Sequence, residues 1–264
     1  MNERVKYEIR DDIAYVTLNR ADKYNALDPE MFDALIQTAN KIKNNKSLRA
    51  VILLGAGKAF CTGLDFPSFI TQKKTVLFAF LKKPFGKTNL FQKIAWTWRE
   101  IPIPVISVIH GYCFGGGVQI ALASDFRFIT PDCEFSILEA KWGMIPDMSA
   151  SVTLRELVSI DQAKLLTMTG RIISGTEAHQ LNLVTGVSID PMAMAEALVE
   201  ELKQRSPDSV VATKKLFHQT WSGSEAHAFS RERMIQLGLL LGKNQNIAMK
   251  ANLKKEKPDF LNRK

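Results

Sequence analysis

Hydrophobic and polar positions alternate along Ile13-Ala14-Tyr15-Val16-Thr17-Leu18, the pattern of a half-buried β-strand. A longer period follows. Between Pro29 and Ile42 the apolar residues Met31, Leu35 and Ile42 recur at helical spacing, with Asp28 at the N-cap position and Pro29 at the first helical position. This predicts an amphipathic helix. Apolar runs at 50–54 and 104–109, and the segment Phe126-Arg127-Phe128-Ile129, read as further strands. Strands that alternate with helical stretches predict an α/β architecture. Residues 66–99 break the pattern by mixing Lys73, Lys74, Lys82 and Lys83 with Phe66, Phe69, Phe78, Phe80, Phe85 and Phe91. They read as a mobile, semi-helical segment of the kind that covers a pocket. From about Pro191 the chain turns almost wholly helical, with Met194, Leu198 and Leu202 in one stripe and Met234, Leu237 and Leu241 in another. The resulting division is a core at 1–190 and a helical region at 191–264.

Two glycine-rich turns carry the candidate chemistry. The strand Val105-Ile106-Ser107-Val108 runs into Ile109-His110-Gly111-Tyr112-Cys113-Phe114-Gly115-Gly116-Gly117-Val118-Gln119, and Ile120-Ala121-Leu122-Ala123 reads as the first turns of a helix. Three consecutive glycines leave backbone N–H groups unshielded at a helix N-terminus, where the macrodipole also favours negative charge. Such a turn can hold an oxyanion, and it can equally be a tight packing point without a ligand. A second strand, Val51-Ile52-Leu53-Leu54, leads into Gly55-Ala56-Gly57-Lys58-Ala59-Phe60-Cys61-Thr62-Gly63-Leu64-Asp65.

Composition narrows the class. A chain of 264 residues with 46% hydrophobic content buries a substantial core. Cys61, Cys113 and Cys133 are too widely spaced for a disulfide framework or a metal motif and read as structural thiols of a reducing interior. The start, Met1-Asn2-Glu3-Arg4-Val5-Lys6-Tyr7-Glu8, resembles no signal peptide, and no run is long and apolar enough to span a bilayer, so a cytoplasmic protein is expected. The 35 basic and 27 acidic residues give a net charge of +8, which suits nucleic acid or a ligand carrying several phosphates. Part of the excess lies at Lys250, Lys254, Lys255, Lys257, Arg263 and Lys264, where a solvated helix face and tail is the simpler reading. Aromatic residues are not interleaved with these lysines, which disfavours single-strand binding.

Four segments in order carry a resemblance: Asn19-Arg20-Ala21-Asp22-Lys23-Tyr24-Asn25-Ala26-Leu27, the G-x-G-x-A-F-x-x-G-x-D segment at 55–65, the H-G-x-x-x-G-G-G segment at 110–117, and Phe135-Ser136-Ile137-Leu138-Glu139-Ala140-Lys141-Trp142-Gly143-Met144-Ile145-Pro146. With them the chain resembles the crotonase (enoyl-CoA hydratase/isomerase) superfamily over nearly its whole length. The resemblance implies a ββα spiral core followed by a C-terminal helical oligomerisation region, and a homotrimer or dimer of trimers. It also implies a fatty acyl-CoA substrate, with coenzyme A entering as part of the substrate and no separate cofactor or metal. The backbone amides of Leu64 and Gly116 would form the oxyanion hole, and Arg20 and Lys23 would meet CoA phosphates or adenine-side groups. Hydratases of the family hold a water between two glutamates; Glu139 stands at the second position and Gln119 at the first. Dienoyl-CoA isomerases carry an aspartate where Asp147 stands, whereas simpler enoyl-CoA isomerases rely on the glutamate alone.

The residues themselves bear on these roles. Glu139 lies among Ile137, Leu138, Trp142, Met144 and Ile145, so desolvation raises its pKa as a proton carrier requires; a salt bridge to Lys141 is the plainer alternative. Gln119 can contact water or substrate by hydrogen bonding but neither takes up nor gives up a proton at neutral pH. Asp147 follows Gly143 and Pro146, which let the chain fold back toward Glu139; alternatively it caps a helix at Ser149-Ala150-Ser151. His110 reads as structural, and His179, His218 and His227 lack metal-ligand spacing. Gly55-Ala56-Gly57 lacks the third glycine of a dinucleotide fingerprint, and Gly57-Lys58-Ala59 lacks the hydroxyl of a P-loop. The expectation is an enzyme that isomerises a double bond through a stabilised enolate. Hydration by Glu139 and Asp147, or a non-catalytic crotonase-fold RNA-binding protein, are the alternatives.

Overall fold

The structure, a computed structural model, describes residues 4–70, 79–81 and 86–264. Its first strands, β1 (Val5–Arg10) and β2 (Ile13–Leu18), form an antiparallel hairpin. From there the sheet grows in parallel through β3 (Ala50–Gly55), β4 (Val105–Ile109) and β6 (Phe126–Ile129). The strand β9 (Gly186–Val187) pairs in parallel with β6 and closes this six-stranded sheet. A second sheet of three strands is made by β5 (Tyr112–Phe114), β7 (Glu134–Ser136) and β8 (Ile173–Ser174). Successive turns of the chain therefore add one strand to each sheet: β4 then β5, β6 then β7. Cys113 sits beside Phe135 across β5 and β7, and an isolated parallel bridge joins it to Cys61, so the rung pattern extends back to the first glycine-rich turn. This is the strand–strand–helix winding that the resemblance implied. All three cysteines are free and buried, and burial pushes the Cys61 thiol up to about 12.

The helix α1 (Pro29–Asn44) forms as its pattern predicts. Asp28 caps it through a 2.8 Å hydrogen bond from the Met31 amide, and Met31, Phe32, Leu35, Ala39 and Ile42 fill the core. The short helix α2 (Phe66–Ile70) and the ten-residue helix α3 (Leu90–Arg99) lie in the segment that sequence pattern left irregular. The second of these is not a cover but a core element: Asn89 and Gln92 form a reciprocal capping box, and Phe91, Ile94, Ala95 and Trp98 are buried. Lys73, Lys74, Phe78, Lys82, Lys83 and Phe85 lie outside the described residues. After β5 the helix α4 (Gly116–Leu122) begins four residues earlier than the apolar pattern suggests, because glycines form its first turn.

Past β7 come α5 (Ala150–Thr153), α6 (Ile160–Thr169) and α7 (Gly175–Gln180). The C-terminal helices are α8 (Pro191–Lys203), α9 (Pro207–Thr220), α10 (Glu225–Leu240) and α11 (Lys243–Lys254). The helical region expected from residue 191 onward begins with a helix packed on the sheet. Ala195 and Val199 of α8 are buried in one cluster with Ile13, Ile52, Ile106 and Phe128, so α8 covers the sheet and belongs to the core. Arg49 holds its end through the carbonyls of Leu202, Lys203 and Arg205. The basic tail also differs from a solvated run at one position. Arg263 is buried and donates to the carbonyls of Lys43 and Asn45 at the end of α1.

Candidate active site

The two glycine-rich turns meet. Leu27 and Leu64 form a parallel bridge in which the Leu27 amide donates to the Gly63 carbonyl (2.8 Å) and the Asp65 amide to the Leu27 carbonyl (3.0 Å). That pairing turns the Leu64 N–H to the other side of the strand. Gly63 has φ +85°, and a Cβ there would stand 3.1 Å from the Gly116 nitrogen, so the loop before Leu64 lies directly against the start of α4. Gly115 occupies the N-cap with φ +50°, held by its own amide on the Ser136 carbonyl (2.9 Å). Among the described residues, the N–H groups of Leu64 and Gly116 donate to no protein acceptor. Two free donors at one junction, one of them at a helix N-terminus, can accept an oxygen that acquires negative charge.

Glu139 sits on a 3-10 turn, Leu138–Trp142, that ends at Gly143 (φ +68°). The side chain reaches back over the glycine turn: a Cβ on Gly115 would lie 3.4 Å from Oε1 of Glu139. Oε1 accepts a 2.6 Å hydrogen bond from the Gln119 amide, whereas Oε2 is buried with no protein partner among the described residues. Glu139 is 7% exposed, and burial pushes its pKa above the usual carboxylate value. Its own backbone amide and Gln119 oppose that rise, and the charge of Asp147 adds to it. Lys141 is exposed and makes no ion pair with it among the described residues.

Asp147 is half-buried, and burial raises its pKa also. Its carboxyl caps no helix. The N-cap of α5 is Ser149, held at φ +85° and making no side-chain cap bond. The chain thus brings Glu139 and Asp147 within electrostatic reach of each other across Gly143 and Pro146. Gln119 has a different place from the one expected of a water or substrate contact. It is fully buried, its Oε1 accepts the Met148 amide (2.7 Å) and the Ala150 amide (3.2 Å), and its Nε2 donates to Glu139.

Arg20, expected at CoA phosphates, is engaged instead by carboxylates: Asp65 at 2.7 Å and Asp28 at 3.4 Å, with the Ala26 carbonyl at 3.1 Å. This ties the cap of α1 to the residue after Leu64. Lys23 is exposed, with no side-chain partner among the described residues. His110 donates from Nε2 to the Gly57 carbonyl at 3.0 Å, a structural role. One residue that sequence reasoning passed over is Asn25. Buried at φ +57°, it donates to the carbonyls of Ala56 and Ala59 and accepts the Arg20 amide, clamping the opening motif onto the first glycine turn. Its signal in the sequence was its place within the opening segment Asn19–Leu27. Phe66 and Trp142 pack in a tilted pair with ring centroids 4.7 Å apart, joining the residue after Asp65 to the Glu139 turn. Among the described residues no cluster of His, Cys, Asp or Glu could hold a metal, and no helix is long and apolar enough to cross a membrane.

Comparison with known proteins finds relatives along nearly the whole chain. Residues 8–263 match the family described as enoyl-CoA hydratase/isomerase. The chain is 32% identical over 215 residues to the (E)-benzylidenesuccinyl-CoA hydratase of Thauera aromatica, covering 80% of each protein. It is 27% identical over 267 residues to the peroxisomal Delta(3,5)-Delta(2,4)-dienoyl-CoA isomerase of Arabidopsis thaliana, covering 98% of this chain and 96% of that one. The crystal structure of an enoyl-CoA hydratase from Bacillus anthracis superposes with a TM-score of 0.90 over 97% of this chain and 98% of that one, at 24% identity, a likeness of fold. The relatives thus include both a hydratase and an isomerase. The match over residues 8–263 and the 32% identity over 80% of the chain show that it belongs to the enoyl-CoA hydratase/isomerase family.

Proposed function

We propose that the protein moves a carbon–carbon double bond within a fatty enoyl-CoA thioester. The carboxylate of Glu139 takes a proton from the α-carbon of a 3-enoyl thioester, and the electron pair spreads onto the thioester oxygen and along the double bond. The amides of Leu64 and Gly116 hold that oxygen, each such donor being worth about 2.7–4 kcal/mol in the transition state. The protonated Glu139 then returns the proton to the γ-carbon, giving the 2-enoyl thioester and restoring the carboxylate. The observation that carries this reading is the Glu139 carboxyl lying over Gly115, next to the Gly116 amide, with an uncharged Gln119 where a second acid would be needed for hydration.

A second reading is hydration of a 2-enoyl thioester with Asp147 as the second acid. It is favoured by the half-buried Asp147 carboxyl, whose charge reaches Glu139. Lys23 is the residue we assign to a CoA phosphate, on its exposure. Arg20 enters only as the clasp of the neighbouring loop. A homotrimer is proposed from the family and supported by α10, none of whose residues is buried although Phe229, Met234, Leu237 and Leu240 project from it.

The test is a paired assay of the purified protein on 3-enoyl-CoA and 2-enoyl-CoA, following the absorbance of the conjugated thioester. A gain from the first substrate without loss from the second supports isomerisation. Loss from the second supports hydration through Asp147. Glu139→Gln is expected to lower kcat by about 10²–10⁴-fold while acyl-CoA still binds; full activity in that variant overturns both readings.

A further inference from the structure

The amide of Gln119 makes three hydrogen bonds, and together they leave one orientation open to it. Its Oε1 is occupied by the N–H groups of Met148 and Ala150, so the end that faces Glu139 must be the NH₂. That group donates to Oε1 of Glu139 at 2.6 Å. One carboxylate oxygen is thereby committed to the protein. The other, Oε2, is buried and has no protein partner among the described residues. Gln119 also spans two parts of the chain that carry acids: it grips the turn of Glu139 on one side and the loop that follows Asp147 on the other.

We propose that Gln119 is a positioning residue that assigns proton transfer to Oε2 of Glu139 and locks the Asp147 loop in register with it. This rests on the reading of Glu139 as the proton carrier. Gln119 touches no reacting atom. It favours the ionised form of Glu139 by donating to it, and it denies Oε1 to the substrate, so that a single oxygen gives and takes the proton. The groups that bear on this carboxyl are few. Gln119 approaches from α4, Asp147 from the following loop and the backbone amide of Glu139 from its own turn, and the only titratable one among them is Asp147.

The sign of the expected effect follows from the donation. Loss of a donor to the ionised form raises the pKa of the base, so activity disappears at a higher pH as the solution is acidified. Two variants separate positioning from support of the fold. In Gln119→Glu a carboxylate oxygen can still accept the Met148 and Ala150 amides, but an oxygen now faces Oε1 of Glu139 and the two acids must share a proton. In Gln119→Met both ends of the link are removed. The measurement is kcat/KM against pH for wild type and both variants on the substrate identified by the paired assay, with thermal unfolding of each. The expected result is a shift of the acidic limb upward by about one pH unit or more in both variants, equal to roughly a tenfold loss at pH values below the limb and a smaller loss above it.

If Gln119→Met does not fold, Gln119→Glu decides alone. A limb that stays in place, with activity lowered equally at every pH, overturns the proposal and leaves Gln119 as a structural residue. Glu139→Gln, measured alongside, keeps the two levels apart. If it is inactive while the limb is unmoved, only the role of Gln119 fails. If it is active, the assignment of Glu139 fails first.

Discussion

Glu139 is costly to keep ionised where it lies. Burial raises its pKa in the folded protein above its value in the unfolded chain, so between the ordinary carboxylate range and the raised value the folded state holds more protons. Stability therefore falls as pH rises through that window, and the full cost persists above it. Glu139→Gln removes the charge and is expected to unfold at a higher temperature than wild type at pH 8, by about 2–4 °C for each kcal/mol regained. The difference should shrink as the pH is lowered toward 4; a Tm difference independent of pH would contradict the assignment of cost to the charge. Glu139 and Asp147 were legible in the sequence because both stand beside local signals, an apolar turn and the pair Gly143 and Pro146. The place of Gln119 was not. Its partners Met148 and Ala150 lie about thirty residues further along, and no local pattern reports on such a bond.

At the scale of elements, the site depends on how α1 is anchored. Asp28 caps the helix, pairs with Arg4 at 2.9 Å and meets Arg20, which in turn holds Asp65 beside the Leu64 amide. The cap and the oxyanion loop thus share one cluster of charges. Asp28→Ala is expected to cost about 2 kcal/mol or more in a denaturant titration, because it removes a cap and leaves two mostly buried guanidinium groups short of a partner. It should also lower kcat/KM by loosening the loop that carries Leu64. An unchanged midpoint would show that the helix does not rely on this cap. The cap itself was evident from Asp28-Pro29. The convergence of Arg20, Asp28 and Asp65 was not, since they belong to three separate elements.

Over the whole molecule, two features outside the site make predictions. On α9, His218 lies among Arg99, Lys214 and Asp125, and burial with the two nearby cations lowers its pKa to about 4. The unfolded chain takes up this proton near pH 6.5 and the folded protein does so only near 4, so stability falls with acidification through that interval. Lowering the pH from 7 to 5 is expected to cost about 2 kcal/mol through this group, and His218→Gln should flatten that part of the stability profile. An identical profile in the variant would refute the assignment. The second feature is the apolar face of α10. If Met234, Leu237 and Leu240 pack between subunits as proposed, Leu237→Glu should shift the mass measured by light scattering from trimer toward monomer; a variant of unchanged mass would remove α10 from the interface.

Local chemistry decided much of this protein within its sequence. Residue period gave the strands at 13–18 and 126–129 and the helix from Pro29, because side-chain spacing and caps act over a few residues. The glycine turns and Glu139 were visible for the same reason: positive φ, a helix N-terminus and an acid in an apolar turn are short-range properties. Tertiary structure decided what depends on residues far apart in the chain. It enrolled α3 and α8 in the core, since each is stabilised by the surface it covers. It turned Arg20 from a candidate phosphate ligand into a clasp between Asp28 and Asp65. It made Gln119 the link between Glu139 and the Asp147 loop, because only the folded chain brings those polar groups together away from water, where each must find a partner.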